Sequence, residues 1–432
     1  MQGAYAGLAR IGLAWMRSWV VRFFRWAAGV AAIVLSLGLG AAPLLSQQGA
    51  GGGSGLSGAV REAVELERQA KFAEAEAAWK RVVKEEPKNA QAYAQLGFVE
   101  ARQEKYAEAI ESYRRAKAIE PGMPELNLNL GLALFKSEDF KEAAGLFDAE
   151  AKKSPGNRQV VVLAAMSHYG AREYAAAIPY LKEALEGDPR NLTLLLTLGH
   201  AELWSHHFDA AIEAYRQILV VNPDSAEADM IAGEALDEKG DKEGSVAQFR
   251  AAVAANPKEP NAHFALGYEL WTLKKNDEAI GEFEAELEND PEQYQAMIYL
   301  GDTYVRLQDY AKAKDWLLKA EPHTAADMLV HLDLGIVYQE TGENDKAVSE
   351  LEAAVRIDPE NVLPHYRLGV LYRTLGRRKE AMAELEKSWS LNRKTDEGLM
   401  QRIADAGKGQ GPAQDKSAAA GTQGAPAQAK PQ

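Results

Sequence analysis

LGDTYVRLQDYAKAKDWL, residues 300–317, decides how the rest of the chain is read. A small residue, Gly301, is followed by Tyr304, then Ala313, then the large apolar Leu317. Each of these four positions recurs at 34 residues in both directions. The glycine row is Gly97, Gly131, Gly199, Gly233, Gly267, Gly301, Gly335 and Gly369. The alanine row is Ala109, Ala143, Ala177, Ala211, Ala279, Ala313, Ala347 and Ala381. A large apolar row starts with Trp79, Tyr113 and Phe147 and ends with Leu351 and Leu385. Prolines keep the same step from Pro87 to Pro291, miss once at Ala325, and return on register at Pro359. Rows held in step for so long define a repeat array, ten units over residues 56–395.

The pattern resembles the tetratricopeptide repeat, a helix–turn–helix unit with a W-x2-L-G-x2-Y…A-x3-F…P signature at this period. The resemblance implies an all-α fold, a right-handed superhelical solenoid of antiparallel helix pairs, and no cofactor. In the unit 90–123, helix A is predicted near 90–103 and helix B near 106–118. Asn89 stands two residues after Pro87, placed to cap helix A through its side-chain oxygen, and Asn157, Asn191, Ser225 and Asn361 hold the equivalent place. Proline ends helix B because it lacks an amide hydrogen and clashes with the preceding turn. Glycine and alanine of the two rows mark the crossing of A and B, where a larger side chain would push the axes apart.

Departures from the pattern carry their own expectations. Repeat 1 has Glu62-Ala63 in place of Leu-Gly, as suits a terminal unit with one solvated face. In repeat 8, Pro322 comes early, so helix B should end early with a looser connection over 323–327 and a local change of pitch. Repeat 10 lacks its closing proline, which predicts a capping segment at 396–406. The tail 407–432, rich in Gly, Ala, Gln, Pro and Lys, has too little apolar surface to offset its ordering entropy and is expected to be disordered.

Ahead of the array, residues 1–48 hold four arginines and then a 20-residue uncharged run, Trp26–Leu45. This reads as a signal peptide or an uncleaved signal anchor, with Met1 or Met16 as the start. Pro43 spoils the best cleavage site, which favours the anchor, and the arginines then stay on the cytoplasmic side. A Gly/Ser linker at 49–58 would leave the array free to move above the membrane. The protein is therefore expected to be exported to the cell envelope, on the periplasmic side, anchored or secreted.

Net charge is −14, and the first 55 residues hold no acid, so the array itself is more acidic still. Such a body repels phosphate backbones, which excludes nucleic acid as the main partner. With no cysteine, there is no disulfide, thiolate metal site or cysteine nucleophile. The residues His200, His206, His207 and Asp209 form the single local histidine cluster, and the turn position of the middle pair argues for ordinary polar residues rather than a metal site. His263, His331 and His365 fall on the fourth repeat position and read as packing residues. No phosphate loop, nucleophile elbow or H-E-x-x-H motif is present, so no enzymatic activity is expected.

The resemblance further implies a partner groove lined by the A helices at the fifth, ninth and twelfth repeat positions. Here these supply Phe98, Leu132, Phe135, Met166, Tyr169, His200, Glu234, Asp237, Phe264, Tyr268 and Trp271. The groove would be apolar and aromatic over repeats 2–5 and at repeat 7, with an acidic step at repeat 6. Tyr268 and Trp271 are expected to be exposed, whereas Leu128, Val162, Leu196 and Ile298 are as readily explained by packing between repeats. Relatives that bind a free C-terminal carboxylate carry a lysine at the fifth position. None is found here, and Arg367 alone holds a clamp-like place. The expected function is a non-catalytic scaffold that holds a protein or peptide, with a structural spacer as the alternative.

Overall fold

The computed structural model describes residues 58–408 except 325, with side chains through 394. The signal-anchor run, most of the linker and the far C-terminal tail lie outside these residues. No helix among the described residues is long and apolar enough to cross a membrane. Every described element is helical.

The described residues form twenty α-helices in A–B pairs. They are α1 Gly58–Arg68 with α2 Phe72–Glu85, α3 Ala90–Arg102 with α4 Tyr106–Ile119, and α5 Leu126–Lys136 with α6 Phe140–Lys153. Next come α7 Arg158–Gly170 with α8 Tyr174–Gly187, α9 Leu192–Trp204 with α10 Phe208–Val221, and α11 Ala226–Glu238 with α12 Lys242–Ala255. Then follow α13 Ala262–Thr272 with α14 Asn276–Asn289, α15 Tyr294–Arg306 with α16 Tyr310–Ala320, and α17 Met328–Glu340 with α18 Asn344–Ile357. The last pair is α19 Val362–Thr374 with α20 Arg378–Lys408. The helices fall into two compact units, Met1–Ala296 and Met297–Gln432.

Helix starts follow the expected caps. Asn89 accepts from the Ala92 amide at 2.9 Å, Asn191 from Leu194, Ser225 from Ala228, Asn361 from Leu363, and Asn157 from both Gln159 and Val160. Asp327 does the same for α17, at 3.0 Å from the Leu329 amide. Each satisfies an amide that has no partner inside its helix. Asn157→Ala should lower stability by about 1 kcal/mol, read as a shifted urea midpoint with an unchanged slope. A midpoint equal to wild type would mean the cap is dispensable.

Repeat 7 starts differently. Asn261 takes a left-handed backbone (φ 63°) and offers no side-chain cap. Glu286, one helix away on α14, supplies the acceptor instead, taking the Phe264 amide at 3.0 Å and the Asn261 amide at 3.3 Å. Burial raises the pKa of this carboxyl, and the two amide bonds pull it back.

One residue in each A–B turn takes the left-handed region: Ala70, Glu104, Glu138, Arg172, His206, Gly240, Lys274, Gln308, Gly342 and Gly376. The bonding is that of a Schellman motif: Glu104 donates to the Ala101 carbonyl and Lys105 to Glu100, and the other turns repeat it. Only three of the ten are glycine, and the other seven are exposed side chains, so the paired backbone bonds of the turn offset the usual steric penalty there.

Between the helices of a pair, glycine meets the large apolar row. A Cβ on Gly97 would stand 2.8 Å from the Tyr113 ring, on Gly131 2.9 Å from Phe147, and on Gly335 2.6 Å from Leu351. Gly199 is the exception. Its neighbours are Ile231 and Ala214, and Tyr215 is only half-buried. The alanine row is buried throughout.

In repeat 8, α16 ends at Ala320, and Glu321–His323 form a single 3-10 turn before Asp327 caps the next helix. The early proline therefore shortens helix B as its position predicts. At the C-terminus, α20 runs without a break through 396–406, where the sequence suggests a separate cap.

Candidate partner-binding face

The expected groove residues divide into two sets. Phe98, Leu132, Glu234 and Trp271 are half-buried, and Leu128, Val162 and Leu196 share that state. Phe135, Met166, Tyr169, His200, Asp237, Phe264 and Tyr268 are buried. This corrects the expectation of an aromatic groove floor. Tyr268, expected to be exposed, is 2% exposed.

The reason lies in ring packing between neighbouring helices. Phe135 meets Phe140 edge-on at 5.2 Å, across the turn of its own repeat. Tyr169 lies 5.5 Å from Tyr174 and 5.9 Å from Trp204 of the following A helix. His200 does not point to solvent but stacks on Trp204 at 5.2 Å. Burial drives its pKa down to about 3, against a smaller opposing bond to the Leu196 backbone. Tyr268 stacks on Trp271 at 5.6 Å, and Phe264 sits 6.0 Å from Phe283. Most of these ring contacts lie within one repeat, those of His200 with Trp204 and Tyr268 with Trp271 within one helix, and Tyr169 with Trp204 joins neighbouring repeats. Each pair adds to the area already removed from water.

Over repeats 2–5, what stays half-open is apolar, one phenylalanine and four aliphatic side chains, and continuous in register. Phe98 on α3, Leu128 and Leu132 on α5, Val162 on α7 and Leu196 on α9 share the fifth and ninth positions of successive A helices, and all are half-buried.

The acidic step of repeat 6 is an ionic network rather than an open patch. The Lys242 ammonium donates to Asp237 and lies 3.1 Å from Glu269, which the sequence reading did not include. Burial is the main cause that raises the Glu269 carboxyl, with Asp237 adding to it and Lys242 opposing. Glu234 has no such cation among the described residues. Burial, then Asp237 and Glu238, push its carboxyl up to about 8, so at neutral pH this step presents a mostly protonated side chain. In the second unit, Asp302 pairs with Arg306 at 2.6 Å. Burial and then Asp302 raise the pKa of Asp333, while Arg306 and Arg367 pull it down. Arg367, the clamp-like residue, thus acts on a buried aspartate.

Most histidines are held by carboxylates. His263, His331 and His365 face Glu282, Glu350 and Glu384 at 2.6, 2.7 and 2.6 Å, always 19 residues on, from helix A to helix B of one repeat. His168 sits between Glu173 at 2.8 Å and Asp148 at 3.0 Å. In the local cluster, His207 is bound to Glu202 and Asp209 to Lys239, so its members are drawn to separate partners. Among the described residues, no group of three or more His, Cys, Asp or Glu side chains is arranged to hold a metal ion.

Comparison with known proteins gives matches by family and by fold. Models described as tetratricopeptide repeat match residues 60–124, 118–158, 128–191, 196–260 and 264–327, with further matches at 338–376 and 364–395. No curated protein matches the chain. Among solved structures, a crystal structure of MamA is 24% identical over 38% of this chain and 96% of its own, with a TM-score of 0.35. YrrB, described as a TPR protein with an unusual peptide-binding site, is 18% identical over 44% and 97%, with a TM-score of 0.37. A tetratricopeptide repeat protein from Parabacteroides merdae is 17% identical over 57% and 98%, with a TM-score of 0.43. Since one family model alone matches more than half of its length, on the helix pairs described above, the chain belongs to the tetratricopeptide repeat family.

Proposed function

We propose that this protein is a non-catalytic scaffold of the cell envelope that holds a protein or peptide partner on the A-helix face of repeats 2–5. The observation that carries the reading is the half-buried apolar row Phe98, Leu128, Leu132, Val162 and Leu196, in register on one helix face after another. An apolar strip of this kind, left partly open in an otherwise acidic protein, suits the apolar side of a helix or an extended segment. Members of the family are typically scaffolds without catalysis, and they bind proteins or peptides. The envelope assignment rests on the apolar run Trp26–Leu45 and the arginines before it.

A photoreactive amino acid at Leu132 or Leu196, activated in cells, tests this directly. Crosslinks to one partner are expected, and they should vanish when Val162→Asp is added while the circular dichroism of the array is unchanged. Crosslinks that persist in the Val162→Asp variant would remove this face as the site. A second reading, a spacer that sets distance between anchored components, draws on the burial of Phe135, Met166, Tyr169, Phe264 and Tyr268. Those residues serve the stiffness of the stack, and a protein that yields no crosslink from any A helix would fit the spacer.

A further inference from the structure

The last repeat ends in a face that the interior repeats cover. Positions 21 and 28 of repeat 4 are Ile178 and Leu185, both buried, and position 21 of repeat 6 is the buried Val246. The fifth position is buried at Met230, Phe264, Ile298 and Leu332 and half-buried at Leu128, Val162 and Leu196. In repeat 10 the same three positions are Met382, Trp389 and Tyr366, exposed at 72%, 66% and 47%. The pattern of side chains is that of an interior repeat. What is different is that no further A helix follows α19 and α20 among the described residues.

Solvated ends of repeat arrays normally carry a polar outer face. The N-terminal end obeys this, since no large apolar residue of repeat 1 is exposed among the described residues. The C-terminal end does not. Met382 and Trp389 lie seven residues apart on one stripe of α20, the spacing that a packed helix presents to its neighbour.

Charge selects the kind of helix that fits. Residues 362–394 hold eight Lys and Arg against three Glu, in a chain whose net charge is −14. Arg373, Arg378, Lys379 and Arg393 are exposed around the apolar stripe. Glu380 is engaged with Arg377 and Glu384 with His365, while Glu386 is exposed on the stripe itself, between Met382 and Trp389, and leaves the surrounding charge positive. Two such faces brought together in a dimer would set like charges against each other. The tail beyond residue 408 has no large apolar side chain with which to fill the stripe.

We propose that this C-terminal face docks an acidic amphipathic helix of a partner protein, which takes the place of the A helix of an eleventh repeat. It is a second surface, independent of the A-helix face above. Electrostatic attraction aligns the helix, and burial of Met382, Trp389 and Tyr366 supplies most of the affinity.

The chain has no cysteine, so Ala383→Cys in the full-length protein gives one labelling site beside Met382 for an environment-sensitive dye. The probe is a side-chain-stapled peptide of residues 226–238, an A helix of this same array that carries five acids and no base. A saturable emission shift is expected. Met382→Glu with Trp389→Glu, both on exposed positions, should weaken binding by about tenfold or more, and so should replacement of the peptide's acids by lysine. Trp389→Ala, milder in charge, should fall between. No saturable shift, or equal binding by the lysine peptide or the double variant, would overturn the proposal. A shift that appears without peptide and grows with protein concentration would assign the face to a second copy instead. A dye already shielded in the full chain, and exposed when the chain stops at residue 394, would assign it to the chain's own C-terminus.

Discussion

Phe147→Ala should destabilise the array by about 4 kcal/mol, the largest effect expected of a single truncation. Phe147 is fully buried between α5 and α6, and it is the surface on which Gly131 rests. Removing the ring leaves a cavity that two helices crossing at a glycine cannot close. Because repeats fold through contacts with their neighbours, the loss should be felt as early opening of repeats 3 and 4, visible as faster amide exchange in α5–α8. The glycine gives a sharper test. In the wild type, Gly131→Ala places a methyl 2.9 Å from the Phe147 ring and should destabilise by about 1–2 kcal/mol. With Phe147→Ala already present, the same methyl has room and should stabilise α5 by about 1 kcal/mol through its helix propensity. The sign of the Gly131 effect should therefore reverse between backgrounds. Additive effects in the double variant would mean that glycine and ring do not define the crossing.

Alkaline pH should weaken the protein through Glu234. Its folded pKa is raised to about 8 from the usual 4.5, so between these values the native state holds a proton that the unfolded chain has released. Stability is then full at the acid end of that window and is lost as pH rises through about 8. The side chain is half-buried, so the loss is about 2 kcal/mol, below what the whole shift would give. Glu67, pushed up to about 7 by burial against a bond from Trp79, acts in the same direction. On the acid side the sign is opposite. His200, lowered to about 3, stays neutral in the fold while the unfolded chain takes up a proton below its usual 6.5. Glu76, held down at about 2 chiefly by Lys105 and Lys80 against burial, loses its stabilising pairs as pH falls through that range. Urea midpoints measured from pH 3 to 9.5 should pass through a maximum at mildly acidic pH, with an alkaline limb that falls until about pH 8. Glu234→Gln should flatten the alkaline limb and make the variant more stable than the wild type at pH 9. An alkaline limb of unchanged slope in Glu234→Gln would remove this residue as its cause.

Period, helix content, repeat boundaries and caps were legible in the amino-acid sequence because each is a local matter. A proline that cannot donate, an asparagine placed to accept, and a glycine where axes cross act within one repeat, and they recur at 34 residues. The shortened α16 was legible for the same reason, from Pro322 alone. The left-handed turn residue was hidden, since only Gly240, Gly342 and Gly376 announce it and seven exposed non-glycine residues adopt it to complete the backbone bonds of the turn.

The face that meets a partner is a different kind of property. Phe135, Met166, Tyr169 and Tyr268 stand at the repeat positions that suggested a groove, yet they are buried, while Leu128, Leu132, Val162 and Leu196 remain half-open. Sequence position shows on which side of a helix a residue lies, but exposure depends on how closely the next repeat approaches, and that is set by rings from a neighbouring helix such as Trp204. Pairing of charge follows the same rule. Lys242 with Asp237 and Glu269, and Glu286 at the start of α13, join residues of different helices. By itself, then, the sequence determined the repeat, the helices and their ends, which depend on neighbours along the chain. Only the tertiary structure decided which apolar and ionic side chains are spent on holding repeats together and which are left for another molecule, because burial is a property of the whole stack.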